Sequence, residues 1–277
     1  MTRLPDPAAL VRGTGLSPSS HLQRVLVSEL ARLAGLAAPP PSRSPLAAPG
    51  PFESALRRDA TGKGGAVIAE YKQASPSLGP FAAGTPLLSQ LQAYKEGGAT
   101  AFSILAEPTF FRGDAGHLAQ AAELGVPRLY KGFVIAEAQL AEAEAFGANA
   151  VLLIARVLKG HTAAFAKAAR RRGLEPLVEL HDLTEVPFAQ AAEAQMVGIN
   201  ARDLSTFTLG VPTAAPLRRI FPGAVLIRES GLATPEDACA SLRAGFDAVL
   251  IGEALMRSPD PRGFLARVFA DLRQAAP

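Results

Sequence analysis

Residues 67–79 read VIAEYKQASPSLG, and the fold turns on how they are understood. Val67 to Tyr71 form an apolar run of strand length, which then breaks into a Ser and Pro cluster that neither a strand nor a helix interior accommodates. The stretch therefore reads as a buried strand that ends at a polar opening. A period of two puts Ile68, Glu70 and Lys72 on one side, so a carboxylate and an ammonium project together from the carboxyl end. Charges on an inward strand face are costly unless they are paired or used. Taken alone, Glu-x-Lys is an ordinary structural ion pair; the rest of the chain changes its meaning.

Working outward, the same unit recurs: a short apolar run, a turn, then an Ala- and Leu-rich helical pattern. Strands are expected near Val67–Tyr71, Thr100–Leu105, Arg128–Lys131, Ala150–Ile154, Pro176–Leu180, Met196–Ile199, Ala224–Arg228 and Ala248–Ile251. A helix fits after each, and Gly97-Gly98, Gly125, Gly147, Gly173 and Gly245 sit where helix-terminating glycines belong. The interval of about 20 to 35 residues is one βα unit. Such a series closes most simply as an α/β (β/α)8 TIM barrel. The open doubly wound sheet is the alternative, but no GxGxxG follows the first strand.

Residues 1–60 read as an amino-terminal helical extension and residues 61–277 as the catalytic barrel. After a loose start, Ser20–Leu36 carries Leu22, Val25, Leu26, Leu30 and Leu33 at helical spacing. It runs into LAAPPPSRSPLAAPGP, whose prolines make an extended connector, and then into a short helix, FESALRRD.

Composition narrows the class. Of 277 residues, 48% are hydrophobic and 6% aromatic, with no Trp, which suits helices on a parallel sheet. The net charge of +3 gives no case for a nucleic-acid surface. Cys239 is the only cysteine, so neither an internal disulfide nor a Cys-based zinc site is available. No apolar run reaches membrane-span length and the amino terminus lacks a signal-like core, so a cytoplasmic protein without membrane or nucleic-acid partners is expected.

Polar residues fall at the ends of many different strands, where a barrel places its active site. They are Glu70 and Lys72, Glu107, Lys131, Glu179, Asn200 and Arg202, Glu229 and Ser230, and Gly252 and Glu253. The last two strand ends, ESGLATPED and IGEALMRSPDP, offer backbone N–H groups suited to a phosphate, with Arg202 and Ser230 as further donors. Lys72 and Lys131 are expected to face each other and depress each other's pKa, opposed by Glu70, Glu179 and Glu229. Lysines and glutamates without a metal-ligand cluster point to proton transfer on a phosphorylated carbonyl substrate. His161, at a helix entry, and His181, read as lying on the opposite side of the chain from Glu179 or in the turn, make poor metal ligands, and no metal is expected.

VIAEYKQASPSLG, FSILAEPTFFRGD, PRLYKGFVI, LVELHD, VGINARDLSTF, RESGL and VLIGEALM occur in order at strand ends, and together resemble the indole-3-glycerol-phosphate synthase family of tryptophan biosynthesis. The likeness runs from about His21 to Leu272 and includes a helical extension before the barrel. It implies a carboxy-lyase that closes the pyrrole ring of 1-(2-carboxyphenylamino)-1-deoxyribulose 5-phosphate, releasing carbon dioxide and water, with no cofactor. By this resemblance Lys131 matches the general acid of ring closure, and Glu179 with Lys72 the acid/base pair of dehydration. Glu70 matches a residue that orients them, and Asn200 one that hydrogen-bonds the substrate. Ser75, Arg202, Glu229, Ser230, Gly231, Gly252 and Glu253 match substrate or phosphate contacts, while Phe111 and Phe133 match aromatic packing on the anthranilate ring. The extension would then serve as a lid excluding water.

Gly132 departs from the family's usual Asp, Gln73 and Leu78 from basic residues, Ala106 from Thr, and Arg228 from a small residue. Gly132 and Arg228 leave open an impaired phosphometabolite-binding barrel or scaffold. Phosphoribosylanthranilate isomerase and the tryptophan synthase α chain fit less well, since the first would use a Cys and Asp pair and the second two carboxylates. Contact with another pathway enzyme is not decided by the residues.

Overall fold

The computed structural model describes residues 4–36, 41–42, 44–46, 49–76, 79–81, 84–200 and 213–274. Eight parallel strands close into a barrel: β1 (Ala66–Tyr71), β2 (Ala101–Leu105), β3 (Arg128–Lys131), β4 (Ala150–Ile154), β5 (Glu175–Leu180), β6 (Met196–Asn200), β7 (Val225–Glu229) and β8 (Ala248–Ile251). Each strand pairs with its sequence neighbour, and β8 returns to β1 with Val67 opposite Val249. The expected strands are all present, displaced by no more than a residue or so at an end.

The helices are α1 (Pro7–Gly13), α2 (His21–Leu33), α3 (Pro51–Lys63), α4 (Leu87–Glu96), α5 (Gly116–Gln120), α6 (Glu137–Ala145) and α7 (Ala155–Leu158). After them come α8 (Thr162–Arg171), α9 (Val186–Ala191), α10 (Ala215–Ile220), α11 (Pro235–Arg243), α12 (Glu253–Arg257) and α13 (Pro261–Gln274). Their starts follow local chemistry. Ser20 accepts from Gln23 N–H at the start of α2, and Thr234 and Asp237 cap α11 reciprocally. Gly125 and Gly245 end helical segments at φ 66° and 95°, a conformation that costs glycine nothing.

The expected loose stretch before α2 holds a helix of its own from Pro7. Asp6 accepts from Ala9 N–H and Pro7 occupies the first turn, so α1 forms and buries Leu10 and Val11. Two elements of the extended segment grip opposite ends of the barrel. At the amino-terminal end, buried Glu175, the first residue of β5, accepts from Phe52 N–H at 2.8 Å and Glu53 N–H at 2.7 Å, capping α3. Gly50 is needed there, because a Cβ would lie 2.5 Å from the Glu175 carboxyl. At the other end, Leu16, Ser20, His21, Leu22 and Val25 reach the barrel mouth from α2 and the turn before it.

Candidate active site

Alternation along the strands carries alternate residues into the barrel, and their last inward members form the floor of a cavity of about 1220 Å³ at the carboxyl ends. Glu70 and Lys72 extend β1, Lys131 ends β3, Glu179 comes from β5, Asn200 from β6 and Glu229 from β7. Ser230, Gly231, Gly252 and Glu253 line the rim, and Phe111 and Phe133 form an aromatic wall with ring centroids 5.7 Å apart.

Lys131 is the centre of the charge arrangement. Its ammonium bonds to Glu229 and lies 3.5 Å from Glu179. Burial works against its charge, but Glu229, Glu179 and Glu70 outweigh burial and raise its pKa above the ordinary lysine value. The expected mutual depression of the two lysines is therefore overturned for Lys131, where the opposing carboxylates prevail. Lys72 is paired with Glu70 at 2.8 Å, and Ser103 Oγ donates to Glu70 at 3.3 Å.

The two carboxyls beside Lys131 are pushed apart. Burial raises Glu179, but the ammonium of Lys131 and the charge of His181 overcome it and hold this carboxyl below its usual range. Glu229 is pushed up to about 8, first by burial and then by the negative charge of Glu179, despite Lys131. One ionised and one protonated carboxyl flanking an ammonium are suited to moving protons. Two glycines make this packing possible. A Cβ on Gly198 would lie 2.0 Å from Glu229 Oε1, and one on Gly252 would lie 2.4 Å from Glu70 Oε1 and 3.0 Å from Lys72 Nζ.

Among the cavity residues that escaped the sequence reading as site members are Arg156 and His181, with Arg257 and Ser258 at the rim. His181 is no turn residue pointing away: its Nε2 lies 3.4 Å from Glu179 Oε1. Its backbone N–H donates to Glu185, which also accepts from Arg156 Nε at 2.9 Å. Burial opposes charge on the imidazole, yet Glu185 and Glu179 raise its pKa. The signal was available, since the period that brings Glu179 inward also brings residue 181. Glu107, at the end of β2, accepts from the N–H groups of Thr109, Phe110 and Phe111 and so folds the turn that presents Phe111.

Not every expected residue reaches the cavity. Ser75 is buried in a small hairpin, Ala74–Ser75 against Gly79–Pro80, and is not among the lining residues; its neighbour Pro76 is. Arg202 lies outside the described residues. Ser230 and Gly231 take φ values of 64° and 72°, so the chain turns sharply at the rim through a conformation disfavoured for serine. Among the described residues, no group of three or more His, Cys, Asp or Glu side chains is arranged to hold a metal ion.

The profile of the family described as indole-3-glycerol phosphate synthase matches residues 41–268. A curated relative of that name from Chloroherpeton thalassium is 41% identical over 216 residues, covering 77% of this chain and 83% of its own. Indole-3-glycerol phosphate synthase 2 from Streptomyces coelicolor is 43% identical over 228 residues, covering 81% and 84%. A solved thiamine phosphate pyrophosphorylase from Pyrococcus furiosus shares the fold at a TM-score of 0.52 and 16% identity, covering 76% of this chain and 96% of its own.

Proposed function

Because the chain belongs to the indole-3-glycerol phosphate synthase family, we propose a division of labour among its cavity residues for that family's reaction. The protein is a decarboxylating lyase of tryptophan biosynthesis, acting on a phosphorylated small molecule. The observation that carries the residue assignment is the Lys131 ammonium held on the cavity floor between Glu179 and Glu229.

In ring closure the aromatic carbon that bears the carboxyl group attacks the ketone carbon. A carbon–carbon bond forms, and the carbonyl π pair becomes an alkoxide that takes a proton from Lys131 Nζ. The raised pKa keeps this group charged at neutral pH, while an alkoxide is a far stronger base and still draws the proton. The bond to the carboxyl carbon then breaks, its electron pair restores the aromatic ring, and carbon dioxide leaves. In dehydration Glu179, held ionised, removes the proton from the neighbouring carbon while the hydroxyl departs as water with a proton from Lys72. Glu70 holds Lys72 in place for that step.

Phe111 and Phe133 pack on the anthranilate ring, and Asn200 supplies a hydrogen bond to the substrate. Ser230 with the backbone around Gly231, Gly252 and Glu253 takes the phosphate, joined by Arg202 and by Ser75 from the small hairpin next to the lining residue Pro76. Residues 1–60 form a unit that lids the barrel of residues 61–277, a reading supported by Leu16, Leu22 and Val25 in the cavity wall. Removing residues 1–45 should raise KM, and an unchanged value would exclude the lid. The reaction needs no cofactor and fits a cytoplasmic protein; no helix among the described residues is long and apolar enough to cross a membrane.

Single-turnover kinetics separate the two lysines. Lys131→Met should block carbon dioxide release, whereas Lys72→Met should release carbon dioxide at near the wild-type rate and stall before the indole forms. Equal loss of both signals in both variants would reject the division.

A further inference from the structure

Gly132 invites reading as a lost catalytic support, yet the geometry around it shows a filled space. A Cβ at residue 132 would lie 2.6 Å from Tyr130 Cε1 and 3.3 Å from Cζ. The obstacle is the edge of a fully buried ring, which has nowhere to retreat. Gly132 has no positive φ, so the backbone itself does not require glycine; Tyr130 does.

Tyr130 occupies that space to reach further. Alternation turns it outward from β3 while Lys131 turns inward, and its hydroxyl donates to Glu142 of α6 at 2.6 Å. Glu142 accepts from Arg32 of α2 at 2.8 Å, and Arg32 holds Glu29 at 2.9 Å. Gln139 Nε2 donates to Glu29 at 2.6 Å and to the Phe133 carbonyl at 2.9 Å, while its Oε1 accepts from Ile135 N–H and Ala136 N–H. Glu29 and Gln139 are buried, at 2% and 0% exposure. Every link is a hydrogen bond; Arg32 and Glu142 are partly exposed, but Tyr130, Glu29 and Gln139 are buried, where a missing partner costs more than at the surface. The chain of contacts starts one residue before Lys131 and returns two residues after it, at Phe133.

We propose that Tyr130, Glu142, Arg32, Glu29 and Gln139 are positioning residues that clamp the Lys131–Phe133 segment to α2, and that Gly132 is the vacancy this clamp requires. The extension is then a structural part of the acid's mounting as well as a cavity wall. This inference rests on Lys131 being the acid of ring closure.

The test compares Tyr130→Phe, Glu29→Gln and their double variant with Gly132→Ala and the pair Tyr130→Leu/Gly132→Ala, reading kcat, KM, single-turnover carbon dioxide release and Tm. The clamp predicts that Tyr130→Phe and Glu29→Gln each lower carbon dioxide release about tenfold or more, against a ceiling of about a hundredfold for a displacement near 1 Å. It predicts less than additive loss in the double variant, because both changes open one network. Gly132→Ala should lose activity, and Tyr130→Leu/Gly132→Ala should recover no further than the level of Tyr130→Phe, since the smaller residue frees the space but carries no hydroxyl for Glu142. A fall in Tm with kcat and KM within twofold of wild type for Tyr130→Phe and Glu29→Gln would overturn the proposal by making the network merely structural. Should Gly132→Ala not fold, those two variants decide the matter alone. Lys131→Met, run alongside, keeps the two claims apart: full carbon dioxide release in it rejects the acid, while its loss with unaffected clamp variants rejects only the clamp.

Discussion

Replacing Glu229 by Gln removes one titrating group beside Lys131 while changing its shape little. Glu229 is 1% exposed, and burial with the charge of Glu179 pushes its carboxyl up to about 8. Below that pH the carboxyl keeps its proton. Above it, a second full negative charge stands against the Lys131 ammonium and holds its proton more tightly, so activity falls on the alkaline side. For one ionisation near 8, about one part in eleven stays protonated a unit higher, so kcat/KM should drop about tenfold by pH ~9. Lys131 itself is raised out of this window and does not account for the limb. Glu229→Gln, neutral throughout, should keep kcat/KM within about twofold across the same range. The assay is indole fluorescence from pH ~6 to ~9.5 at constant ionic strength. A limb of unchanged midpoint in the Gln variant would refute the reasoning. Stability carries the same sign: a raised carboxyl contributes stability present below its unfolded value near 4.5 and lost through about 8, so the Gln variant should gain on wild type as pH rises.

Two further outcomes follow from burial away from the reacting groups. Burial pushes Glu175 up to about 7 despite the two N–H donors of α3, so its stabilisation is present below about 4.5 and lost as pH rises through about 7. In urea titrations the advantage of wild type over Glu175→Gln should shrink by up to ~1.4 kcal/mol per pH unit in that window, and a constant difference would contradict the assignment. Arg228 on β7 has a buried Nε without a hydrogen-bond partner, and burial lowers its pKa. Arg228→Val should therefore raise stability by about 1 kcal/mol; a loss of similar size would show that the guanidinium is useful where it is.

The barrel was legible because eight apolar runs of strand length alternate with helical patterns, and polar residues follow most of the runs, the fourth excepted. The elements that escaped are short. α1, α7 and α12 span 7, 4 and 5 residues, too few for a helical period to show, although Asp6-Pro7 announces the first. Among the site residues, Glu70, Lys72, Lys131, Glu179, Asn200 and Glu229 were visible as charged or polar groups where a strand should be apolar. His181 was missed although the strand's period still runs at its place one residue past the end of β5, on the side of Glu179. The state of Lys131 was not legible, because it depends on how burial balances against Glu229, Glu179 and Glu70, a matter of distances across the barrel. Gly132 shows the same limit from the other side. Against a family pattern it looks like a missing group, and only the ring of Tyr130 shows what fills the space.

The proposed role of Lys131 as the acid in forming indole-3-glycerol phosphate rests on its place between Glu179 and Glu229. The most direct measurement follows product fluorescence from 1-(2-carboxyphenylamino)-1-deoxyribulose 5-phosphate with wild type and Lys131→Ala side by side, with substrate binding measured for both. Wild type should turn over, and the variant should lose about 10²- to 10⁴-fold with binding retained. Turnover in the variant within a few-fold of wild type, or saturable binding without any product from wild type, would contradict it.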